Sequence, residues 1–189
     1  MRRNQRLAFA LSITAISLVG LSRDARAQEA ERQEAPPQGE PHEDSVAMSA
    51  NRGFKLGLGP TLLLPMRAGG PYGGGITVDG RYGIKAGPTV LAPGGALTGY
   101  LISSRLVGMA MPTFRVTLPV GPLAPFVIGG VGAGGITNPA ETGVALIGGG
   151  GLMIHFGRVF AIGAEATYQT ITGTELETVA IGPAVAFGG

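Results

Sequence analysis

Six charged side chains, Lys55, Asp79, Arg81, Lys85, Arg115 and Glu165, interrupt segments that otherwise alternate between apolar residues and glycine, alanine or threonine. In FKLGLGPTLLL (54–64), Phe54, Leu56, Leu58 and Leu62 alternate with Lys55, Gly57, Gly59 and Thr61. ITVDGRYGIK (76–85) opposes Ile76, Val78, Tyr82 and Ile84 to Asp79, Arg81 and Lys85, TFRVTL (113–118) isolates Arg115, and RVFAIGAEATYQT (158–170) isolates Glu165. Charges of opposite sign that share a confined space can neutralise one another and fill it. With four cations against two anions, the same set could instead line a narrow path that favours anions.

Other chemistry is sparse. A nucleophilic mechanism needs a nucleophile, a base and an orienting acid within reach of one another. From residue 51 onward the chain offers one histidine, His155, and two serines, Ser103 and Ser104, far from it in sequence; His155 reads as a hydrogen-bonding residue. His42 beside Glu43 and Asp44 has the composition of a metal tract, but a solvated histidine needs no ion and no metal site is assigned. GGVGAGG (129–135) has no following Gly-Lys-Ser/Thr and no helical pattern, so it is not a phosphate loop. No catalytic residue and no cofactor are expected.

The elements that must position the six charges are strands. From Asn51 the chain is a series of Val, Ile, Thr, Phe and Tyr-rich pieces without helical spacing, divided by turn signals at 65–74, 92–95, 119–125, 137–142, 156–158 and 170–175. About eight strands fit, with the limits of the third, within 86–104, poorly marked. Period two with one apolar face also suits a soluble sheet. Here, however, charged residues are only 14% of 189, against roughly 25% in soluble domains, and the polar faces are glycine, alanine and threonine rather than lysine and glutamate. Such faces suit the crowded interior of a small barrel whose oily side faces lipid. An unpaired amide in hydrocarbon costs several kcal/mol, so the sheet must close. The 34 glycines, GGGG (148–151) among them, then relieve interior crowding.

The N-terminus reads as an export signal. Arg2, Arg3 and Arg6 precede the apolar run Leu7 to Leu21, and Ala25-Arg26-Ala27 supplies a cleavage site, giving a signal peptide over 1–27. Its removal leaves nine basic against eleven acidic residues, a net charge of −2, so the positive balance of the whole chain implies no nucleic-acid partner. Residues 28–50 carry six acids, one arginine and three prolines, and are expected to be a disordered acidic tail, a candidate to contact a periplasmic partner. The absence of cysteine excludes disulfides and thiolate metal sites.

The opening of the APFVIGGVGAGG strand (124–135), the glycine-rich strands of 143–170 and the final strand ending in Val185 and Phe187 together resemble the small bacterial outer-membrane β-barrel family of the OmpA/OmpX-like transmembrane type. The resemblance covers 51–189. It implies an eight-stranded antiparallel up-and-down barrel in contact with outer-membrane lipid. Both termini would be periplasmic, with short external loops at 65–74, 137–142 and 170–175. Family members end on an aromatic residue read by the barrel-assembly machinery, which assigns that role to Phe187, here followed by Gly188 and Gly189. Tyr72, Tyr82, Tyr100 and Tyr168 could form interface girdles or be ordinary strand tyrosines. The expected role is envelope-structural or surface-interacting, with the lumen plugged by paired charges. The alternatives are an anion-favouring pore, a soluble exported barrel carrying an apolar ligand, and a lipid A-modifying enzyme of the kind some small barrels are.

Overall fold

The computed structural model describes residues 45–66 and 68–188. The expected signal peptide (1–27), residues 28–44 of the expected tail, and Gly189 lie outside the described residues. A short helix, α1 (Val46–Ala50), precedes eight strands: β1 (Gly53–Pro65), β2 (Gly73–Ala86), β3 (Thr89–Ile102), β4 (Arg105–Thr117), β5 (Leu123–Ile136), β6 (Glu141–Phe156), β7 (Phe160–Ile171) and β8 (Glu177–Phe187). Each strand pairs antiparallel with its neighbours in sequence, and β1 pairs with β8, closing an up-and-down barrel with no free edge. The helix and the 87–88, 118–122 and 157–159 links gather at one end, the near end; the 66–72, 103–104, 137–140 and 172–176 links gather at the far end.

The alternation read from the sequence is the inside–outside alternation of the barrel. Leu58 lies opposite Val78 on one side and Val185 on the other, so the outward apolar residues of successive strands meet in a continuous belt. Leu97, Val127 and Phe54 are 63%, 61% and 58% exposed. A belt of that extent is a surface for an apolar phase, since water-facing monomers rarely expose large contiguous apolar patches. Strands of 11 to 16 residues reach or exceed the roughly 9–11 that cross a hydrocarbon layer when tilted.

Four outward-facing prolines mark the interruptions of the ladder. Between β2 and β3 the pairing breaks between Arg81↔Gly94 and Ile84↔Leu91, where Pro93 lies; between β4 and β5 it breaks next to Pro112; and at the β1–β8 seam it breaks where Pro60 and Pro183 face each other. Proline has no N–H to donate. This overturns the expected turn at 92–95, which is the middle of β3. The real turns flanking β3 are Gly87-Pro88 and Ser103-Ser104. In the second, both serines hold positive φ, 43° and 68°, the conformation a two-residue hairpin demands and usually obtains from Asn-Gly. The 119–125 signal likewise overran a strand start, since Leu123, Ala124 and Pro125 already belong to β5.

Three further expectations are corrected. The tail does not run unstructured to residue 50: Ser45 caps α1, its Oγ accepting from the Met48 N–H at 3.2 Å, and Ala47, Met48 and Ala50 are buried. Tyr100 is no girdle residue; it points into the lumen and is 1% exposed, whereas Tyr72, Tyr82 and Tyr168 face outward. The lumen is also far more apolar than its glycine and threonine content implied. Leu63, Tyr100, Val107, Met109, Met111 and Ile171 fill its far half, and Phe126 and Met153 pack with Ala47 of α1 in its near half.

Gly151 illustrates how the inner wall is fitted. A Cβ there would overlap the Ala164 carbonyl oxygen and stand 2.7 Å from the Phe126 ring, whereas one at Gly99 would meet nothing within 4 Å. Gly151→Ala is therefore expected to destabilise the barrel by about 1–3 kcal/mol through overpacking, with Gly99→Ala close to neutral, as measured by urea-unfolding midpoints of the refolded protein.

Candidate functional site

The charged band crosses the near half of the lumen. Asp79 and Arg81, two residues apart on β2, share the inner face and form an ion pair. Asp79 lies opposite Gly57 on β1, and the carboxylate occupies the space a side chain at 57 would take. Arg115 on β4 reaches across the lumen to Glu165 on β7, Nη2 to Oε2 3.1 Å. Glu165 is flanked on both neighbouring strands by glycine, Gly151 and Gly182, which leaves room for the pair. The Arg115 guanidinium also lies over the Phe126 ring, 3.9 Å from its centroid, so the cation is held by a carboxylate and an aromatic face together.

The other two members of the expected set stand apart from these pairs. Lys55 is buried, but its Nζ donates to the backbone carbonyls of Arg158, at 3.1 Å, and Gly188, so it ties the β6–β7 turn to the end of β8 and is not paired with a carboxylate. Lys85 has the inward parity yet is exposed, because it lies one residue from the end of β2 where the wall stops; it does not belong to the buried band. The buried band thus holds three cations, Lys55, Arg81 and Arg115, and two anions, Asp79 and Glu165. The free space beside the Arg115–Glu165 pair is about 30 Å³, room for roughly two water molecules.

Sequence reasoning missed a polar layer and a clamp. Above the band, Gln169 Nε2 donates to the Tyr100 hydroxyl at 2.9 Å, and that hydroxyl lies 3.1 Å from Thr77 Oγ1. Gln169 was legible as an inward position of β7, but Tyr100 was hidden by the misplaced turn. At the near end Asn51 Nδ2 donates both to the Ala47 carbonyl and to His155 Nε2, each at 2.8 Å, while the Ala47 N–H donates to Gly121 O at 3.1 Å. Those bonds seat α1 in the barrel opening. His155 is thereby a structural hydrogen-bonding residue. The hydroxyls of Ser45 and Ser49 are engaged within α1, and Ser103 and Ser104 lie at the opposite end.

Phe187, the expected assembly signal, faces outward at the near end and packs against Phe160, ring centroids 5.5 Å apart; Phe156 continues the row at 6.0 Å from Phe160.

No family model matches the chain, and no curated protein matches it. Solved structures do. The outer-membrane enzyme PagL aligns at 10% identity, TM-score 0.50, over 71% of this chain and 98% of its own. The fold is that of the small outer-membrane β-barrels of the OmpA/OmpX-like type. The N-terminal barrel domain of Pseudomonas aeruginosa OprF aligns at 16% identity and TM-score 0.49, over 70% of this chain and 96% of that one. Ail, the attachment invasion locus protein of Yersinia pestis, aligns at 14% and 0.49, over 72% and 98%.

Removing one partner of a buried pair leaves the other charge uncompensated, which costs on the order of 3 kcal/mol. Glu165→Leu is expected to lower stability by about that amount, and Arg115→Met with Glu165→Leu to cost less than the two changes summed; urea unfolding of the four proteins gives the coupling. Asn51→Ala, which cuts the clamp on α1, should raise amide hydrogen exchange at Ser49 and Ala50 and leave exchange in the strands unchanged.

Proposed function

We propose that this protein is an outer-membrane β-barrel with a non-catalytic, envelope-structural or surface-interaction role, its lumen closed by packed apolar side chains, the Asp79–Arg81 and Arg115–Glu165 pairs, and α1. The observation that carries the reading is the inversion of the molecule: a continuous apolar belt outside and buried, neutralised charge inside. Outer-membrane lipid is the environment that satisfies such a belt, and the fold likeness to outer-membrane barrels agrees with it. The N-terminal Arg-rich and apolar stretch would direct export, and Phe187, at the head of the Phe160–Phe156 row, would be the residue the barrel-assembly machinery reads.

A pore is disfavoured by the fill of the lumen. Only about 30 Å³ is free beside the Arg115–Glu165 pair, and Lys55, the cation in excess, is turned to backbone carbonyls. A soluble carrier of an apolar ligand would need the apolar residues inside and the charges outside. An enzyme reading lacks an assembled site around His155, whose ring is engaged with Asn51.

Gel mobility of the protein from the outer-membrane fraction, with and without boiling, tests the placement. A boiling-dependent shift is expected. Recovery in the soluble periplasmic fraction without a shift would refute it. The purified barrel in a planar bilayer should give no steady unitary conductance, and a conductance lost on Arg115→Met would establish the pore instead.

A further inference from the structure

Both hydrogens of the Asn51 side-chain amide are committed: Nδ2 donates to the Ala47 carbonyl within α1 and to His155 Nε2 on the barrel wall, each at 2.8 Å. The second bond exists only while that ring nitrogen carries no proton, because an imidazole nitrogen accepts through its bare lone pair. Turning the amide over, so that Oδ1 accepts from a protonated ring, would set that oxygen against the Ala47 carbonyl and forfeit the first bond. The seat of α1 therefore depends on a neutral His155.

The surroundings of the ring oppose its charging while α1 is in place. His155 is buried, and the small void beside it is also lined by Lys55 of β1, Arg81 of β2 and Arg158 of the β6–β7 link. Among the described residues these are the charged groups that face it. Arg81 is engaged with Asp79, and besides Asn51 the elements α1, β7 and β8 bring only alanine and phenylalanine to the void. The His155 backbone N–H donates to the Pro122 carbonyl at 2.9 Å, in the uncharged 118–122 link. A further cation placed among these, out of water, is unfavourable. With α1 lifted away, the ring meets water at the near opening and can take up its proton.

We propose that α1 is an acid-released strap: a proton on His155 removes its bond to Asn51 and frees the helix from the near opening. The seated form holds one proton fewer than the released form. Seating is therefore strongest above the range in which a free histidine titrates and weakens as pH falls through it, the ratio of released to seated helix rising by up to about tenfold per pH unit below about 6.5. Release uncovers Phe126, Met153 and Ala161, which pack with Ala47 in the seated form. The strap goes beyond the envelope role above and requires only the closed barrel with α1 seated in it.

The test uses the full chain folded in nanodiscs of zwitterionic lipid, with amide hydrogen exchange followed by NMR between about pH 5 and pH 8. The Ala47 amide reports release, because its acceptor, the Gly121 carbonyl at 3.1 Å, belongs to the barrel. After correction for the intrinsic pH dependence of exchange, Ala47 protection is expected to be level above about pH 7 and to fall by up to about tenfold per unit below about 6.5. Strand amides such as that of Val78 should keep their protection. His155→Gln retains an acceptor that takes up no proton and should hold Ala47 protection level throughout. A level profile in the unsubstituted protein, or the same fall in H155Q, would overturn the proposal. So would a parallel loss in the strands, which is acid unfolding of the barrel. If H155Q leaves α1 unseated at every pH, the imidazole signals of His155 in the unsubstituted protein decide: protonation in step with the loss of Ala47 protection upholds the strap, and protonation while that protection holds overturns it.

Discussion

The pairing of β1 with β8 is the interaction on which the rest depends. Open at that seam, the sheet would present two rows of unpaired amides and carbonyls, which an apolar surrounding cannot satisfy. Closed, every strand has two neighbours, and the side chains are sorted into a set that faces out and a set that faces in. The seam tolerates Pro60 opposite Pro183 because Leu56, Leu58, Leu62 and Leu64 retain their partners on either side. All four prolines at ladder interruptions face outward, so the rings add to the apolar belt where hydrogen bonds are missing.

Closure creates the second constraint, an interior about as wide as the side chains of its own wall. The chain meets it in layers. Large apolar residues occupy the far half, a threonine–tyrosine–glutamine group lies below them, the ion pairs follow, and α1 with small alanines fills the near end. The charged layer depends on the glycines beside it: Gly57 admits Asp79, and Gly151 and Gly182 admit Glu165. Arg115 is held in turn by Glu165 and by the face of Phe126. Glycine here is spatial permission for charge to be buried and paired.

Much of this was legible from the residues alone. Alternation assigned Lys55, Asp79, Arg81, Arg115 and Glu165 to the inner face, because period two leaves a strand residue only two sides to choose between. It could not say who meets whom. Arg115 and Glu165 are fifty residues apart on strands that are not neighbours, and Lys55 finds carbonyls where a carboxylate was expected. Lys85 has the right parity and the wrong height. Turn chemistry misled at Pro93-Gly94-Gly95, since a proline at an outward ladder gap has the same local signature as a turn, and Ser103-Ser104 adopts the hairpin conformation without its usual residues. The apolar inner positions were missed because Met109, Met111 and Val107 belong to a strand apolar on both faces, where alternation carries no signal.

The sequence by itself determined the strand periodicity and its two faces: period-two segments poor in charge, with oil on one face and small or charged residues on the other, favour a closed barrel turned outward to an apolar phase over a soluble sheet. Tertiary structure alone decided which charges neutralise each other and that α1 is seated in the near opening by Asn51 and His155. The reason is geometric. Hydrophobic pattern is a property of each strand and is read along the chain, whereas partners across a lumen are set by strand order, stagger and height, which exist only once the ring is closed.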